Sequence, residues 1–152
     1  LLGKRVKLSP SVSQKILGGN IHYPCRWWRL FNKGCRYADE GIFVPICLDK
    51  PLRSTRHLTG CNMSFSRTAI LAINGFDEEY VKPAVGEDAD IDWRFRAKGY
   101  EFVSVRNRAI VYHLYHKESW TDQTENLAIM QRKQTGKIIY CQKGLNQHLN
   151  RK

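Results

Sequence analysis

The segment that most constrains the fold lies past the middle of the chain and runs from Gly86 to Gly99. Its acidic residues come first and its basic residues last, which is the order that complements the helix macrodipole. Ile91 and Phe95 are one helical turn apart and predict a buried face. Glycine is the usual residue just past a helix end. The pattern therefore predicts a helix from about Asp88 to Lys98.

Helix and strand signals alternate along the rest of the chain, which predicts an α/β fold with a mixed sheet. We expect extended segments at Gly41 to Leu48, Thr59 to Phe65, Tyr100 to Val105 and Ala109 to Tyr112, with Thr59 to Phe65 as a buried strand and a turn at Asn107. We expect further helices at Pro10 to Leu17, which Ser9 caps, at Cys25 to Lys33, at Ser66 to Ile73, and at Thr121 to Gln134.

The last predicted helix and the segment after it complete the chain. Leu127 and Met130, with Gln123 a turn earlier, fall on one stripe of that helix and are expected to face the core. Gly136 is expected to end the helix. The remainder, Lys137 to Lys152, is interpreted as a basic tail.

Chain length and composition predict one soluble globular domain over residues 1–152. A chain of 152 residues can bury a substantial core, and its hydrophobic content of 42% is ordinary for such a protein. No apolar run approaches the roughly 18 residues that a membrane-spanning helix requires.

The five cysteines predict reduced thiols. Their number is odd and none forms a C-x-x-C pair, so neither a disulfide framework nor a zinc site is indicated. Reduced thiols are typical of a cytoplasmic protein, which is the location we expect.

The net charge of +11 predicts an anionic partner. The basic residues are spread along the chain, and Lys4, Arg5, Lys7 and Lys15 are interpreted as a solvated face. Arg26 and Arg29 alternate with Trp27, Trp28 and Phe31, a pattern that a nucleic-acid or membrane surface also uses. We favour packing of these aromatic residues in the protein, so sugar phosphate or peripheral membrane contact is expected and nucleic acid is not.

Four acids open the central helix: Glu87, Asp88, Asp90 and Asp92. Acids in a first turn are often only helix caps, each contributing about 0.3–1 kcal/mol. The glycine before the Glu-Asp pair favours a site instead, because glycine lets another molecule approach the backbone. One carboxylate would then be a general base. Asp88-Ala89-Asp90 also has the D-x-D spacing of a metal motif, but that motif normally follows a hydrophobic strand, so we reject this assignment.

Two histidines follow in the segment that ends at His116. His113 and His116 are three residues apart, so on a strand they would point to opposite faces and would not chelate one ion together. A single imidazole at a strand end serves as a metal ligand, as a hydrogen-bond donor or simply as a core residue.

Four ordered blocks resemble the C-terminal catalytic segment of family 2 glycosyltransferases and the related galactosyltransferase C-terminal region, over residues 59–118 approximately. The blocks are Gly60-Cys61-Asn62-Met63-Ser64-Phe65, Asn74-Gly75-Phe76-Asp77-Glu78, Gly86-Glu87-Asp88-Ala89-Asp90 and Ala109-Ile110-Val111-Tyr112-His113. The resemblance implies a GT-A fold and an inverting sugar transfer.

The resemblance also implies roles for individual residues. Asp88 would be the base that deprotonates the acceptor hydroxyl, and Glu87 would hydrogen-bond the acceptor sugar. His113 would ligate a Mn²⁺ or Mg²⁺ ion on the donor diphosphate. Asp90 would support the helix terminus at the binding site, and Gly86 would belong to the same site. The donor-sugar pocket would be lined by Gly60, Cys61, Asn62 and Met63.

The family's partners would be a nucleotide-sugar donor, expected to be a UDP-sugar, and a saccharide or glycolipid acceptor. The flanks are similar to bacterial members that build lipopolysaccharide or capsular polysaccharide, which would place the protein at the inner face of the membrane. Relatives carry upstream nucleotide-binding strands, so the chain is expected to be the C-terminal part of such an enzyme and inactive alone. The alternative is a non-catalytic module, derived from a transferase domain, that binds a glycan, a membrane or a protein.

Overall fold

The computed structural model of the chain describes residues 5–19, 34–44, 57–82, 86–117 and 121–149. The chain divides into two compact units, and each is assembled from separate stretches of sequence. The first unit comprises Leu1–Thr55, Cys61–Met63 and Val103–Glu118, and the second comprises Arg56–Gly60, Ser64–Phe102 and Ser119–Lys152.

The first unit contains β1 (Arg5–Leu8), α1 (Pro10–Leu17), a 3₁₀ turn (Ala38–Gly41), β2 (Cys35–Arg36) and β3 (Val111–His113). The second contains α2 (Arg67–Leu71), α3 (Glu87–Ala97), α4 (Thr124–Thr135) and a 3₁₀ turn (Leu145–Gln147). The helix predicted at Cys25 to Lys33 lies outside the described residues.

A small mixed sheet forms the centre of the first unit, with strand order β2-β1-β3. β1 pairs antiparallel with β2 and parallel with β3. The prediction of a mixed α/β architecture is therefore confirmed for the described residues. β1 was not predicted, because its basic residues suggested a solvated face. Val6 and Leu8 alternate with those residues and are buried, which is the pattern of a strand with one face on the core.

Helix α1 begins and ends as predicted. Ser9 is the N-cap, and its hydroxyl accepts a hydrogen bond from Val12 N. Pro10 occupies the first helical position, where a missing N–H costs nothing. Ser13 is buried, and its hydroxyl accepts a 2.7 Å hydrogen bond from Tyr115 N, which ties the helix to the segment after β3.

The turn predicted at Asn107 is present, with φ at 62°. The Asn107 side-chain amide donates to the backbone carbonyls of Asp39 and Ile42 at 2.7 and 2.8 Å. The extended segment predicted from Gly41 is wrong at its start, because Gly41 ends the 3₁₀ turn and residues 42–44 belong to no strand. Residues 45–48 of that prediction lie outside the described residues.

Helix α3 supplies the core of the second unit, as its sequence predicts. Ile91 and Phe95 are almost fully buried. Phe65, Tyr100 and Phe102 place their rings 5.0 to 6.4 Å from the ring of Phe95, within the range of favourable aromatic contacts. The apolar pair one turn apart is therefore what fixes the helix against its neighbours.

The strands predicted at Thr59 to Phe65 and Tyr100 to Val105 are wrong. Residues 60–62 form a turn and none of residues 59–65 is buried. The two segments hold only isolated bridges, at Met63 and at Ser104. Small and apolar composition misled the first prediction. Gly60 and Asn62 favour turns, and their polar groups bond to partners distant in sequence, Asp88 and Ala109, instead of to a neighbouring strand.

The buried side of α4 is polar, which contradicts the predicted stripe. Leu127 is 52% exposed, whereas Asn126 and Lys133 are buried. Lys133 pairs with the buried carboxylate of Asp77. A lysine in a helix is normally expected to face solvent. Lys133 can lie in the core because its charge is paired with that of Asp77.

The segment after Gly136 is not a free tail over its described part. The side-chain amide of Asn74 donates to Cys141 O and to Asn146 Oδ1, both at 2.8 Å. Asn146 N and Leu145 N in turn donate to the side-chain and backbone oxygens of Asn74. The prediction of a basic tail is wrong here, because the buried Asn74 holds the segment to the rest of the second unit.

Candidate active site

Asp88, the predicted base, lies in the first turn of α3 with its side chain half-buried. Its Oδ2 accepts a 3.2 Å hydrogen bond from Gly60 N, and its Oδ1 accepts one from Ala89 N at 2.8 Å. These two backbone donors fix the orientation of the carboxylate while part of it stays open to solvent. A group that receives a proton from a substrate needs both properties.

Asp92 stands one turn later and binds the same neighbouring segment. Its Oδ1 accepts a 2.9 Å hydrogen bond from Leu58 N, and its Oδ2 accepts one from Arg96 Nε at 2.7 Å. Asp88 and Asp92 together hold the backbone of residues 58–60 against α3. No separate role was predicted for Asp92, although its i,i+4 spacing from Asp88 places both carboxylates on one helix face.

Glu87 and Gly86 stand at the start of α3 in different surroundings. Glu87 is exposed, as a residue that contacts an acceptor would be. Gly86 is buried with φ at +150°, and a Cβ on it would lie 2.6 Å from the ring of Tyr80. The close approach that the glycine allows is therefore made by Tyr80 of the same chain, and a contact between Gly86 and a sugar stays a prediction.

Asp90 is fully buried and serves the interior of the second unit. Arg94 donates to it through Nε at 2.7 Å, and Tyr80 and Trp93 donate at 3.1 and 3.2 Å. Burial raises the pKa of the Asp90 carboxyl above its usual range, and the Arg94 guanidinium opposes that change. This position fits the implied role in supporting the helix terminus.

The burial of Asp90 also bears on the D-x-D spacing. Asp88-Ala89-Asp90 lies in the first turn of α3, as predicted, and the two carboxylates differ in exposure and partners. A motif that holds a metal ion needs both carboxylates at one accessible position. The rejection of this triplet as a metal motif stays a prediction.

Cys61, Asn62 and Met63, the predicted donor-pocket residues, belong to the first unit, whereas Gly60 belongs to the second. Asn62 donates its side-chain amide to Ala109 O at 3.0 Å, just before β3. Cys61 is a half-buried free thiol. Their predicted contact with a donor sugar stays a prediction.

A cavity of about 510 Å³ opens beside the sheet of the first unit, and it contains His113. Its described lining combines basic side chains with an apolar wall and the amino end of α1. The lining residues are Lys7, Leu8, Ser9, Pro10, Cys35, Arg36, His113, Tyr115 and His116. No function was predicted for Lys7 or Arg36. The pairing of β1 with β2 places them at the cavity, and the residues next to them in sequence do not indicate that pairing.

The two histidines lie on the same cavity, which contradicts the prediction that they point to opposite faces. The ring centroids of His113 and His116 are 4.9 Å apart. The strand ends at His113, so the alternation of faces does not extend to His116.

The predicted metal role of His113 finds little support in the chemistry of its neighbours. The described residues contain no group of three or more His, Cys, Asp or Glu side chains that could hold a metal ion. Among the residues that the structure describes, the charged side chains that line the cavity are Lys7 and Arg36, which repel a cation. The described donor set therefore does not fit a divalent ion. Asp88 belongs to the second unit and His113 to the first, so their meeting in one site stays a prediction.

Comparison with known proteins adds one match. Residues 48–117, just under half of the chain, match a family model described as the N-terminal domain of galactosyltransferase. This match supports a galactosyltransferase-like domain. It supports neither assignment to family 2 nor a position as a C-terminal fragment. No curated protein and no solved structure matches the chain.

The matched region contains the site residues predicted from sequence, from Gly60 to His113, whereas Lys7 and Arg36 of the cavity lie outside it. It begins before Gly60, includes the whole of α3, and ends after His116. A galactosyltransferase-related domain suggests glycosyltransferase activity and, in general, a nucleotide-sugar donor with an acceptor. Across the described residues, no helix is long and apolar enough to cross a membrane.

Proposed function

We propose that the chain is the catalytic part of an inverting glycosyltransferase with Asp88 as its general base. The observation that carries the proposal is the geometry of Asp88: a half-exposed carboxylate, oriented by Gly60 N and Ala89 N, at the amino end of α3 and inside the region that matches the galactosyltransferase family model. A GT-A fold and membership of family 2 are part of the proposal.

Asp88 and Glu87 have separate roles in the proposed reaction. The Asp88 carboxylate accepts the proton of the acceptor hydroxyl, and the resulting oxygen nucleophile attacks the anomeric carbon of the donor sugar. The bond from that carbon to the diphosphate breaks, and attack from the opposite side inverts the configuration. Glu87, which is exposed beside Asp88, accepts hydrogen bonds from acceptor hydroxyls and orients them.

The donor we propose is a UDP-sugar and the acceptor a saccharide or glycolipid, at the cytoplasmic face of a bacterial membrane in lipopolysaccharide or capsule synthesis. A divalent Mn²⁺ or Mg²⁺ ion would stabilise the departing diphosphate. Because the described residues offer it no ligand group, the proposal routes no step through it.

The test is release of nucleoside diphosphate by the full-length protein with a panel of donors and acceptors, with and without Mn²⁺. Asp88→Asn should reduce turnover by at least about 100-fold, since loss of a general base typically costs 10²–10⁴. Glu101→Gln is the matched control, because Glu101 is an exposed acid in the same unit. Equal activity of Asp88→Asn and wild type would refute Asp88 as the base. No turnover with any donor or metal would favour the non-catalytic module.

A further inference from the structure

The proposed base is oriented by a segment of the second unit that has little buried surface. Gly60, whose N–H donates to the Asp88 carboxylate, lies in the turn over residues 60–62, and none of residues 59–65 is buried. The hydrogen bond between Gly60 and Asp88 is itself exposed and 3.2 Å long. A turn without buried contacts opens locally at little cost in free energy. The position of Gly60 N therefore depends on where the chain before it is fixed.

Leu58 fixes that chain two residues before Gly60. Its side chain is buried, and its N–H donates a 2.9 Å hydrogen bond to Asp92 Oδ1. Asp92 has only 5% of its surface exposed, so this bond is shielded from water, unlike the bond between Gly60 and Asp88. Asp88 and Asp92 are one turn apart on α3. Asp92 therefore anchors the segment that carries the Gly60 donor to the same helix that carries the base.

Two further side chains contact the Asp92 carboxylate. Arg96 donates to Oδ2 through Nε at 2.7 Å and to Oδ1 through a terminal nitrogen at 3.3 Å. His57 places Nδ1 3.7 Å from Oδ2, which is an ion pair only when the imidazole is protonated. The side chains of Arg96 and His57 are 46% and 79% exposed, so water screens both charges. The contact that can link Asp92 to the position of Gly60 is therefore the buried one with Leu58 N.

We propose that Asp92 is a positioning residue for Asp88. By holding Leu58 N it fixes Gly60 N, and Gly60 N keeps the Asp88 carboxylate oriented for proton transfer. The inference rests on the proposed role of Asp88 as general base, and it gives Asp92 no contact with substrate. A displacement of about 1 Å at a reacting group can cost about 100-fold in rate. Loss of Asp92 should therefore lower kcat and leave substrate affinity nearly unchanged.

The test compares two substitutions of Asp92 in the full-length protein, with release of nucleoside diphosphate as the measurement. Asp92→Ala removes the acceptor of Leu58 N, so kcat should fall about 10- to 100-fold while KM for the acceptor stays within about threefold. Asp92→Asn retains an oxygen that can accept from Leu58 N, and the half-exposed Arg96 can turn to water. Asp92→Asn should therefore fold and recover most of kcat. A loss in Asp92→Asn equal to that in Asp92→Ala would overturn the proposal.

Two control variants separate the Leu58 contact from the other partners of Asp92. Arg96→Ala removes the ion pair and leaves Leu58 N bonded to Asp92, and His57→Gln removes the imidazole. Both variants should keep kcat within about threefold of wild type, because exposed ion pairs contribute little. A loss in either control as large as that in Asp92→Ala would overturn the proposal, since Asp92 would then act through that side chain.

A double variant tests whether the effect passes through Asp88. In Asp88→Asn the base is already lost, so adding Asp92→Ala should lower kcat by less than about threefold more. A full further loss would show that Asp92 acts independently of Asp88, and it would overturn the proposal. Wild-type turnover in Asp92→Ala together with an inactive Asp88→Asn would overturn this inference alone, whereas full turnover in Asp88→Asn would refute the proposed function as well.

Amide hydrogen exchange tests the anchoring without any measurement of activity. Although the acceptor of Gly60 N is Asp88, exchange at Gly60 N should be about fivefold faster in Asp92→Ala, the equivalent of one lost hydrogen bond. Gly75 N, which donates to Ile70 O at 2.8 Å in the same unit, is the internal control and should exchange at the wild-type rate. Unchanged exchange at Gly60 would overturn the proposal. Equal acceleration at Gly75 would also overturn it, because the variant would then have destabilised the whole unit.

Discussion

At the scale of single residues, the acids at the start of α3 divide by direction. Glu87 and Asp88 face outward to different degrees, whereas Asp90 and Asp92 are buried and pair with Arg94 and Arg96. The first two acids therefore leave carboxylate surface open to solvent, and the last two anchor the helix to the core. This division separates the residues that can meet a substrate from those that hold the helix in place.

Arg94 is the residue whose loss should cost most. It has no exposed surface, and besides Asp90 it donates to Ile73 O and Gly75 O at 2.8 and 2.9 Å. Arg94→Ala leaves a buried carboxylate and two carbonyls without this donor. We expect the free energy of unfolding in urea to fall by about 3–5 kcal/mol, as when one partner of a buried ion pair is removed.

Arg96→Ala is the matched control, because Arg96 makes the same i,i+4 pair with Asp92 on the same helix. Its side chain is 46% exposed, so water screens the charge. The expected loss is about 1 kcal/mol or less. Equal losses for the two variants would show that burial of Arg94 does not govern its contribution.

Tyr80 should make the protein sensitive to alkali. Burial, and then the neighbouring Asp90 carboxylate, raises the pKa of the Tyr80 phenol far above its ordinary value of about 10. Above that pH the unfolded chain loses this proton and the folded chain keeps it, so the free energy of unfolding falls as pH rises. In Tyr80→Phe the free energy of unfolding should fall less steeply with pH between about pH 9 and 11. The difference in slope should correspond to up to about one proton.

The measurement is urea unfolding at several pH values, with Tyr140→Phe as control. Tyr140 belongs to the same unit and is 54% exposed, so Tyr140→Phe shows the effect of removing a tyrosine hydroxyl that the fold does not bury. An unchanged slope in Tyr80→Phe would contradict the effect of burial on this phenol.

At the scale of elements, α3 is flanked by one glycine at each end, and the two glycines have different structural roles. Gly86 and Gly99 both have positive φ, 150° and 82°. A Cβ at Gly86 would strike the ring of Tyr80, whereas one at Gly99 would meet nothing within 4 Å. The first glycine makes room for a neighbouring side chain, and the second only ends the helix.

Alanine at the two positions should separate these contributions. Gly99→Ala carries the backbone cost alone, about 1 kcal/mol of unfolding free energy. Gly86→Ala adds displacement of Tyr80, a further loss of about 1–3 kcal/mol typical of overpacking, and it moves the turn that carries Asp88. Thermal and urea unfolding measure both. A smaller loss at Gly86 than at Gly99 would contradict the contact with Tyr80.

Helices were predicted well and strands poorly, for a physical reason. A helix is specified by neighbours: Ser9 and Ser66 cap α1 and α2, Gly136 ends α4, and Ile91 with Phe95 marks the buried side of α3. A strand is specified by its partner, which the local sequence does not contain. β1 was missed for this reason, and two predicted strands are loops.

The candidate sites follow the same rule. The position at a helix start drew attention to Glu87 and Asp88, and the resemblance implied their separate roles and that of His113. Lys7 and Arg36 became visible only through the pairing of β1 with its two neighbours. Residues that a helix end or a short motif specifies can be predicted from sequence, whereas residues that a sheet register brings together cannot.

At the scale of the whole molecule, buried charge is balanced locally. Each buried acid of the described residues pairs with a basic side chain: Glu40 with Arg106, Asp77 with Lys133, Asp90 with Arg94 and Asp92 with Arg96. The excess charge of +11 therefore resides outside these pairs. It remains available to attract anions, in agreement with the basic cavity of the first unit.

The C-terminal segment packs against the rest of the second unit, and the reactivity of Cys141 can measure how often this contact opens. Cys141 is fully buried, burial raises the pKa of its thiol, and Asn74 donates to its carbonyl. A thiol reacts as the exposed thiolate, so this one should react only when the unit opens. In a variant with the other four cysteines replaced by Ser, we expect labelling by an aromatic disulfide reagent to follow unfolding. The rate of Cys141 labelling should therefore rise with denaturant concentration as the unfolded fraction rises.

Cys61, half-buried in the first unit, gives the control when it is the one cysteine retained. Its labelling should be fast and nearly independent of low urea concentrations, because no unfolding is needed to expose it. Asn74→Ala should accelerate labelling of Cys141, since the amide that joins Cys141 O to Asn146 is lost, and it should leave Cys61 unchanged. If Cys141 reacted as fast as Cys61 in native buffer, the C-terminal segment would open independently, and the unit would not unfold as one cooperative body.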